Sequence, residues 1–242
     1  VTLLLRCACG MILKVASYNM HKGVGTDRRL SPERILDVLR EIDADVIALQ
    51  EADRRFGTRD GVIPVHLLAE HSDWQAVAVG KRAASMGWHG NALLVRKSAT
   101  VVGCDAIHLP ALEPRGAVSA EVDVNGGSVC VVGMHLDLSG LWRRKQAAAI
   151  LTHVAQRPTS RPTVMMGDLN DWSAASGCLR DFGRDFVMAA TGPSFHARAP
   201  VARLDRIMVS RDLTIRNCGV HASAAARKAS DHLPIWAVVE AA

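Results

Sequence analysis

The sequence predicts an α/β domain with more than one β-sheet. Three observations carry that expectation. Many apolar runs are built from Val, Ile, Leu and Ala, which suits strands buried on both faces. The chain opens with a β-α-β pattern, the usual crossover between parallel strands. Later runs are joined by a tight turn and are therefore antiparallel, so both kinds of pairing must coexist. The 242 residues are 49% hydrophobic, enough for a sizeable core, but only 4% aromatic with a single tyrosine, Tyr18. The core must therefore be mostly aliphatic.

The elements follow in order. Ile12–Tyr18 is an apolar strand that runs into Asn19, His21 and Lys22. Ser31 and Pro32 open a helix, Ser31 as a cap and Pro32 at the first helical position. Ile35, Leu36, Val38, Leu39 and Ile42 give that helix an apolar face. Asp45–Gln50 is a short buried strand that stops at Glu51. Ile63–Ala69 reads as a helix, and Gln75–Val79, Ala92–Val95 and Thr100–Ile107 as strands. Val118–Val124 and Val129–Met134 form a hairpin around Asn125-Gly126-Gly127. Trp142–Val154 is a helix, Thr163–Met166 a buried strand and Ala174–Phe182 a short helix. Leu204–Val209, Thr214–Cys218 and Ile235–Val239 complete the strands. Residues 11–242 read as one domain, with 1–10 as an N-terminal extension.

A net charge of +5 favours anionic partners such as phosphates, nucleic acid or acidic lipid heads. No run of five or more Lys/Arg forms a basic tail. Cys7, Cys9, Cys104, Cys130, Cys178 and Cys218 lack metal-ligand spacing, and Cys104 and Cys130 lie in apolar runs as buried free thiols. A reduced, cytoplasmic protein is expected. No stretch approaches the ~20 apolar residues of a membrane span.

Several strands meet polar residues for which a core has no use. The sequence reads Ser17-Tyr18-Asn19, Leu49-Gln50-Glu51, Gly133-Met134-His135, Gly167-Asp168-Leu169-Asn170, Leu204-Asp205-Arg206 and Ser230-Asp231-His232. Strand ends of α/β sheets are where ligands gather. Asn19, Glu51, Asp168, Asn170 and Asp231 are oxygen donors, the set that a hard cation such as Mg²⁺ takes, with Mn²⁺ as a substitute. His232 suits proton exchange near neutrality, and Asp205 could fix its tautomer. His135 could stabilise charge on a phosphoryl oxygen. Each also has a plain structural reading: Asn19 as a turn residue, Asp168 with Asn170 as an Asx-turn, Asp231 as a turn cap. A strand-end histidine such as His232 would support little packing.

Taken in order, these motifs, with Leu204-Asp205-Arg206-Ile207 and Ser230-Asp231-His232-Leu233-Pro234, resemble the endonuclease/exonuclease/phosphatase superfamily from about Lys14 onward. The resemblance implies a DNase I-like, four-layer α/β sandwich: two mixed β-sheets packed face to face and flanked by helices. It implies a phosphoesterase with Asn19, Glu51 and Asp231 at the metal, Glu51 the firmest. Asp168 and Asn170 would orient the attacking water, His135 would contact phosphate, and Asp205 and His232 would form an acid/base pair. Asn19-Met20-His21-Lys22-Gly23, Gly90-Asn91-Ala92 and Glu113-Pro114-Arg115-Gly116 are similar to a bacterial subgroup of metal-dependent hydrolases. Lys22, Asn91 and Arg115 could bind phosphate there. Their plain alternatives are a solvated charge, a turn and a salt bridge.

Abasic-site endonucleases of this superfamily place a tyrosine near the phosphate, and nothing beyond Tyr18 supplies one. A small or lipid-headgroup phosphoester is therefore favoured over a DNA nuclease; a non-catalytic binding module is the third alternative. Arg54–Gly61, Lys81–His89 and Leu138–Trp142 are expected to form the rim of the site, with Phe56, Trp88 and Trp142 as its aromatics.

Overall fold

The computed structural model describes residues 10–53, 60–79, 85–111, 113–158, 160–173 and 177–241. Residues 1–9 of the expected N-terminal extension, part of the expected rim (Arg54, Arg55, Phe56, Arg59, Lys81 and Arg82 among it) and the start of the expected Ala174–Phe182 helix lie outside them.

The chain runs β1 (Ile12–Asn19), a single 3-10 turn (His21–Gly23), α1 (Pro32–Ile42), β2 (Val46–Gln50), α2 (Val65–His71), β3 (Trp74–Ala76), β4 (Ala92–Arg96), β5 (Thr100–His108), β6 (Gly116–Val124), β7 (Gly127–His135), α3 (Gly140–Ala155), β8 (Thr163–Asp168), α4 (Gly177–Phe182), β9 (Phe186–Met188), β10 (Asp205–Ser210), β11 (Leu213–Val220), α5 (Ala224–Ala229) and β12 (Ile235–Ala241). These strands make two six-stranded sheets, ordered β11-β12-β1-β2-β4-β3 and β5-β6-β7-β8-β10-β9. Both are mixed: β1–β2 and β7–β8 are parallel, and their other neighbours are antiparallel.

Alternation along the strands sorts side chains into layers. Leu13, Val15, Val46, Ala48 and Leu93 of the first sheet meet Val118, Val131, Val164, Met166 and Ile207 of the second. The opposite face of the first sheet, with Tyr18, Ile47 and Leu94, packs against α1 and α5. The opposite face of the second, with Val132, Met165 and Met208, packs against α3 and α4. The result is a helix–sheet–sheet–helix sandwich, as the resemblance implied. Among the described residues, no helix is long and apolar enough to cross a membrane.

Local chemistry sets the joints. Asn125 (φ 50°) and Gly126 (φ 78°) turn β6 into β7, both in the left-handed region that a two-residue hairpin requires. Ser31 sits at the N-cap of α1 with extended backbone and Pro32 behind it, but its hydroxyl donates to Glu33 Oε2 (3.0 Å) instead of capping the helix. Two further expectations need correction. β5 is a largely exposed edge strand rather than a buried one, and Cys104 on it is only half-buried. Cys130, on interior β7, is fully buried, and burial pushes its thiol up to about 11. β9 and α5 were not foreseen, because three and six residues are too few to display a period.

Gly167 precedes Asp168 at the close of β8, with φ 155°; a Cβ there would lie 1.9 Å from the carbonyl oxygen of Met134 on β7. Backbone cannot retreat from such a contact without parting the two strands. Gly167→Ala is expected to cost roughly 3 kcal/mol or more, combining overpacking and backbone strain. Chemical denaturation, compared with Gly126→Ala in the open hairpin turn, measures it; equal losses would refute the steric argument.

Candidate active site

The alternation that fills the inter-sheet layer also delivers the polar residues. Leu13 and Val15 point into that layer, and the same parity carries Asn19 there. Val129 and Val131 lead likewise to His135, and Val164 and Met166 to Asp168. Ile207 and Val209 share their parity with Asp205, which stands at the beginning of β10. Not every motif is therefore a strand end. β10 runs antiparallel to β8 and puts Asp205 opposite Asp168; β12 runs antiparallel to β1, so Asp231 and His232 precede their strand and still reach the same edge of the sandwich. The candidate site is the polar end of the inter-sheet core.

At its centre Asp168 is 1% exposed. Its Oδ2 accepts from Asn19 Nδ2 (2.9 Å) across the two sheets, and its Oδ1 accepts from the backbone N–H of Asn170 (2.8 Å). Asn170 holds φ 51° and donates its amide to Leu136 O (3.0 Å). His232 Nδ1 donates to Asp205 Oδ2 (2.8 Å), which also accepts from Ser194 Oγ (2.5 Å). The other ring nitrogen, Nε2, faces Asp168 Oδ2 at 3.7 Å. Burial disfavours a charged imidazole here. The Asp205 carboxylate, through its charge and its hydrogen bond, then Asp168 and Asp231, outweigh burial and hold the His232 pKa up to about 10. His232 is thus an imidazolium at neutral pH, with a proton on each nitrogen.

Glu51 leaves β2 at φ 56°, and its Oε2 is buried without a hydrogen bond among the described residues; its charge is met by Lys22 Nζ at 2.9 Å. Asn19 lies in register with Gln50, so its side chain sits beside this carboxylate's strand end. Ser230 Oγ donates to Asn19 O (2.7 Å) and brings the adjoining Asp231 to the same corner, where Asp231 Oδ1 is 3.8 Å from His21 Nδ1. Glu51, Asn19 and Asp231 are an all-oxygen donor set, and a buried carboxylate oxygen balanced, among the described residues, by one half-exposed lysine fits a hard divalent cation. Asp168, Asp205 and His232 also bring ligand atoms within 4.8 Å of one another. That trio is better understood as a proton-holding chain, because 2.8 Å between Nδ1 and Oδ2 is a hydrogen bond that a cation would have to break.

Arg115 Nη1 donates to His135 Nε2 (2.8 Å), and His135 Nε2 is 3.5 Å from Asp168 Oδ2. Because a guanidinium only donates, this bond puts the His135 proton on Nδ1. Arg115 Nε is buried with no hydrogen-bond partner among the described residues. Arg115 Nη2 is also 3.8 Å from Glu113 Oε2, the salt bridge that was its plain alternative, and Lys22 is engaged with Glu51. Asn91 is built into a turn: its amide N–H groups reach Gly116 O (2.9 Å) and Trp88 O (3.3 Å).

Sequence reasoning missed Ser194, Phe195 and Trp172. Phe195 lies against the His232 ring with centroids 4.9 Å apart, and Trp172 meets Phe195 edge-on at 5.9 Å. Trp88, expected at the rim, packs against His108 instead.

The sequence profile of the Endonuclease/Exonuclease/phosphatase family matches residues 16–232, a span that begins in β1 and ends at His232. The chain belongs to the endonuclease/exonuclease/phosphatase family. Its DNase I-like fold, two mixed sheets between helices, is that of the family's solved structures. Among curated relatives, the uncharacterized protein YbhP of Escherichia coli K12 is 30% identical, over 93% of this chain and 95% of its own length. The Bacteroides thetaiotaomicron mannosyl-6-phosphatase Bt3783 superposes with a TM-score of 0.70 at 18% identity, covering 94% of this chain and 99% of that one. D. rerio TDP2, solved with a single-strand DNA product, gives a TM-score of 0.72 at 16% identity, covering 94% and 98%. The last two establish shared fold only, and they serve unlike substrates on one scaffold.

Proposed function

We propose that this protein is a Mg²⁺-dependent phosphoesterase, with Mn²⁺ as a substitute, acting on a small or lipid-headgroup phosphoester. The observation that carries the reading is the buried chain Ser194–Asp205–His232, whose free ring nitrogen faces Asp168, itself tied to Asn19. Family membership supports the reaction class.

Roles follow from the donors and acceptors. Asp168, acceptor on both oxygens, takes a proton from the attacking water, which Asn170 helps to orient. His232 Nε2–H donates toward the phosphoryl group or the leaving oxygen, and Asp205 keeps it charged and aligned. Arg115, supported by His135, donates to non-bridging phosphoryl oxygens. Glu51, Asn19 and Asp231 would hold the cation, which when bound supplies Lewis-acid stabilisation of the developing charge.

Two features favour a compact or lipid-like substrate over duplex DNA. Tyr18 is fully buried in the sheet–helix layer, so its hydroxyl cannot serve the site. Trp172, about two-thirds exposed, meets Phe195, which lies against His232, and gives the edge of the site an apolar surface. A higher kcat/KM is expected for bis(p-nitrophenyl) phosphate and a short-chain phospholipid than for a duplex with an abasic site. The substrates are compared on one preparation at one salt concentration, since DNA affinity falls steeply with salt. Efficient nicking of the abasic duplex with little turnover of small esters would restore the nuclease reading.

A further inference from the structure

Beside the catalytic edge lies a pocket of about 320 Å³, lined in part by His21, Thr26, Arg28, His196, Arg198 and Asp231. At roughly 30 Å³ per water, it has room for about ten waters, the scale of a phosphorylated sugar. Asp231 is the wall it shares with the candidate cation site.

We infer that this pocket is a second anion site, which selects phosphoesters whose leaving group is a polyol carrying another phosphate. The inference rests on the phosphoesterase reading for its biological meaning, though not for its test. Its arginines are unpaired: among the described residues no carboxylate forms an ion pair with Arg28 or Arg198. The neighbouring Arg34, by contrast, spends its guanidinium on both oxygens of Asp27. Arg28, and Arg198 apart from the N–H it gives to Thr26 O, thus keep donors for a ligand, and a fork of N–H groups is what recognises phosphate.

The pocket is also pre-formed. Thr26 N–H donates to Lys228 O (3.0 Å) and Thr26 Oγ1 to Arg227 O (3.2 Å). Arg198 Nη2 donates to Thr26 O (2.5 Å), and Ala197 N–H to Asp231 O (2.7 Å). Gly25 lets the loop come this close, since a Cβ there would lie 2.4 Å from Lys228 O. One wall is anionic. Asp231 repels a phosphate but accepts hydrogen bonds from hydroxyls, so the ligand must present hydroxyls near the cation site and its second phosphate toward the arginines. That polarity is the reason for naming a polyol phosphate instead of a bare anion.

The test is equilibrium binding to the intact protein in chelator, where no turnover occurs, by titration calorimetry. The probes are fructose 1,6-bisphosphate and fructose 6-phosphate. Wild type is expected to bind the bisphosphate at least about tenfold more tightly, as charge-assisted hydrogen bonds would give. In Arg28→Ala, and separately in Arg198→Gln, that advantage falls below about threefold. In Arg211→Ala, a substitution at the far end of β10 from Asp205, it persists. Equal affinities in wild type, an advantage that survives in both pocket variants, or an equal loss in Arg211→Ala would overturn the inference. An enzyme that binds as expected yet hydrolyses no phosphoester would leave this site standing and sink the proposed function.

Discussion

His232→Ala is expected to lower phosphoester turnover by about 10²–10⁴-fold, the range for losing a positioned acid or base. It also destabilises the protein, contrary to what a strand-end histidine suggests in sequence. His232 is 5% exposed, and it is the cation that faces the 1%-exposed Asp205 carboxylate. Truncation leaves that buried carboxylate without its hydrogen-bonded cation, at a cost of roughly 3–5 kcal/mol. The double variant Asp205→Asn/His232→Ala removes the stranded charge. It should regain part of the lost stability while turning over no more slowly than His232→Ala, since the two residues act as a unit. A double variant less stable than either single, or additive losses of rate, would show that they work independently. The pair has a pH signature as well. Its folded pKa, about 10, lies above the ordinary 6.5. Its contribution to stability is therefore complete below pH 6.5 and fades as pH rises through 10, when measured in chelator against Asp205→Asn.

Glu51→Gln keeps shape and removes charge. Its expected effect is at least about a hundredfold loss of rate at limiting Mg²⁺, a few kcal/mol of barrier, partly recovered at high Mg²⁺. Binding can be read apart from activity through the loss of the Mn²⁺ electron-spin signal on titration with protein. The substitution also releases Lys22, whose ammonium is 2.9 Å from Glu51 Oε2. Full activity and unaltered Mn²⁺ affinity in Glu51→Gln would remove Glu51 from the cation site.

The residues most legible in the sequence are those where alternation stops making sense. Asn19, His135 and Asp168 each occupy a position where the pattern calls for another Val or Leu, and the structure sets all three at the end of the inter-sheet layer. Asp205 and His232 were readable as a pair from their chemistry, but their place at strand starts was not, because sequence does not state which neighbours run antiparallel. Ser194 and Phe195 gave no signal. They lie outside the regular strands, and their partners Asp205 and His232 are fixed only by tertiary packing. The Arg28–Arg198 pocket was illegible for the same reason, since its arginines lie 170 positions apart in a chain with many others.

β1 pairs with β12, the first described strand with the last, and Asn19 meets Ser230 at the closing edge. The order in which the chain leaves a ribosome therefore matters. A nascent protein can bury the β5–β8 half of its core early, but β1 must wait, one flank unpaired, until β12 emerges. Contacts of such long sequence separation form slowly, and an exposed edge invites pairing with other chains in the interval. The candidate site is thus the last feature to be assembled during synthesis, since Asn19 meets Ser230 only when β12 has paired with β1.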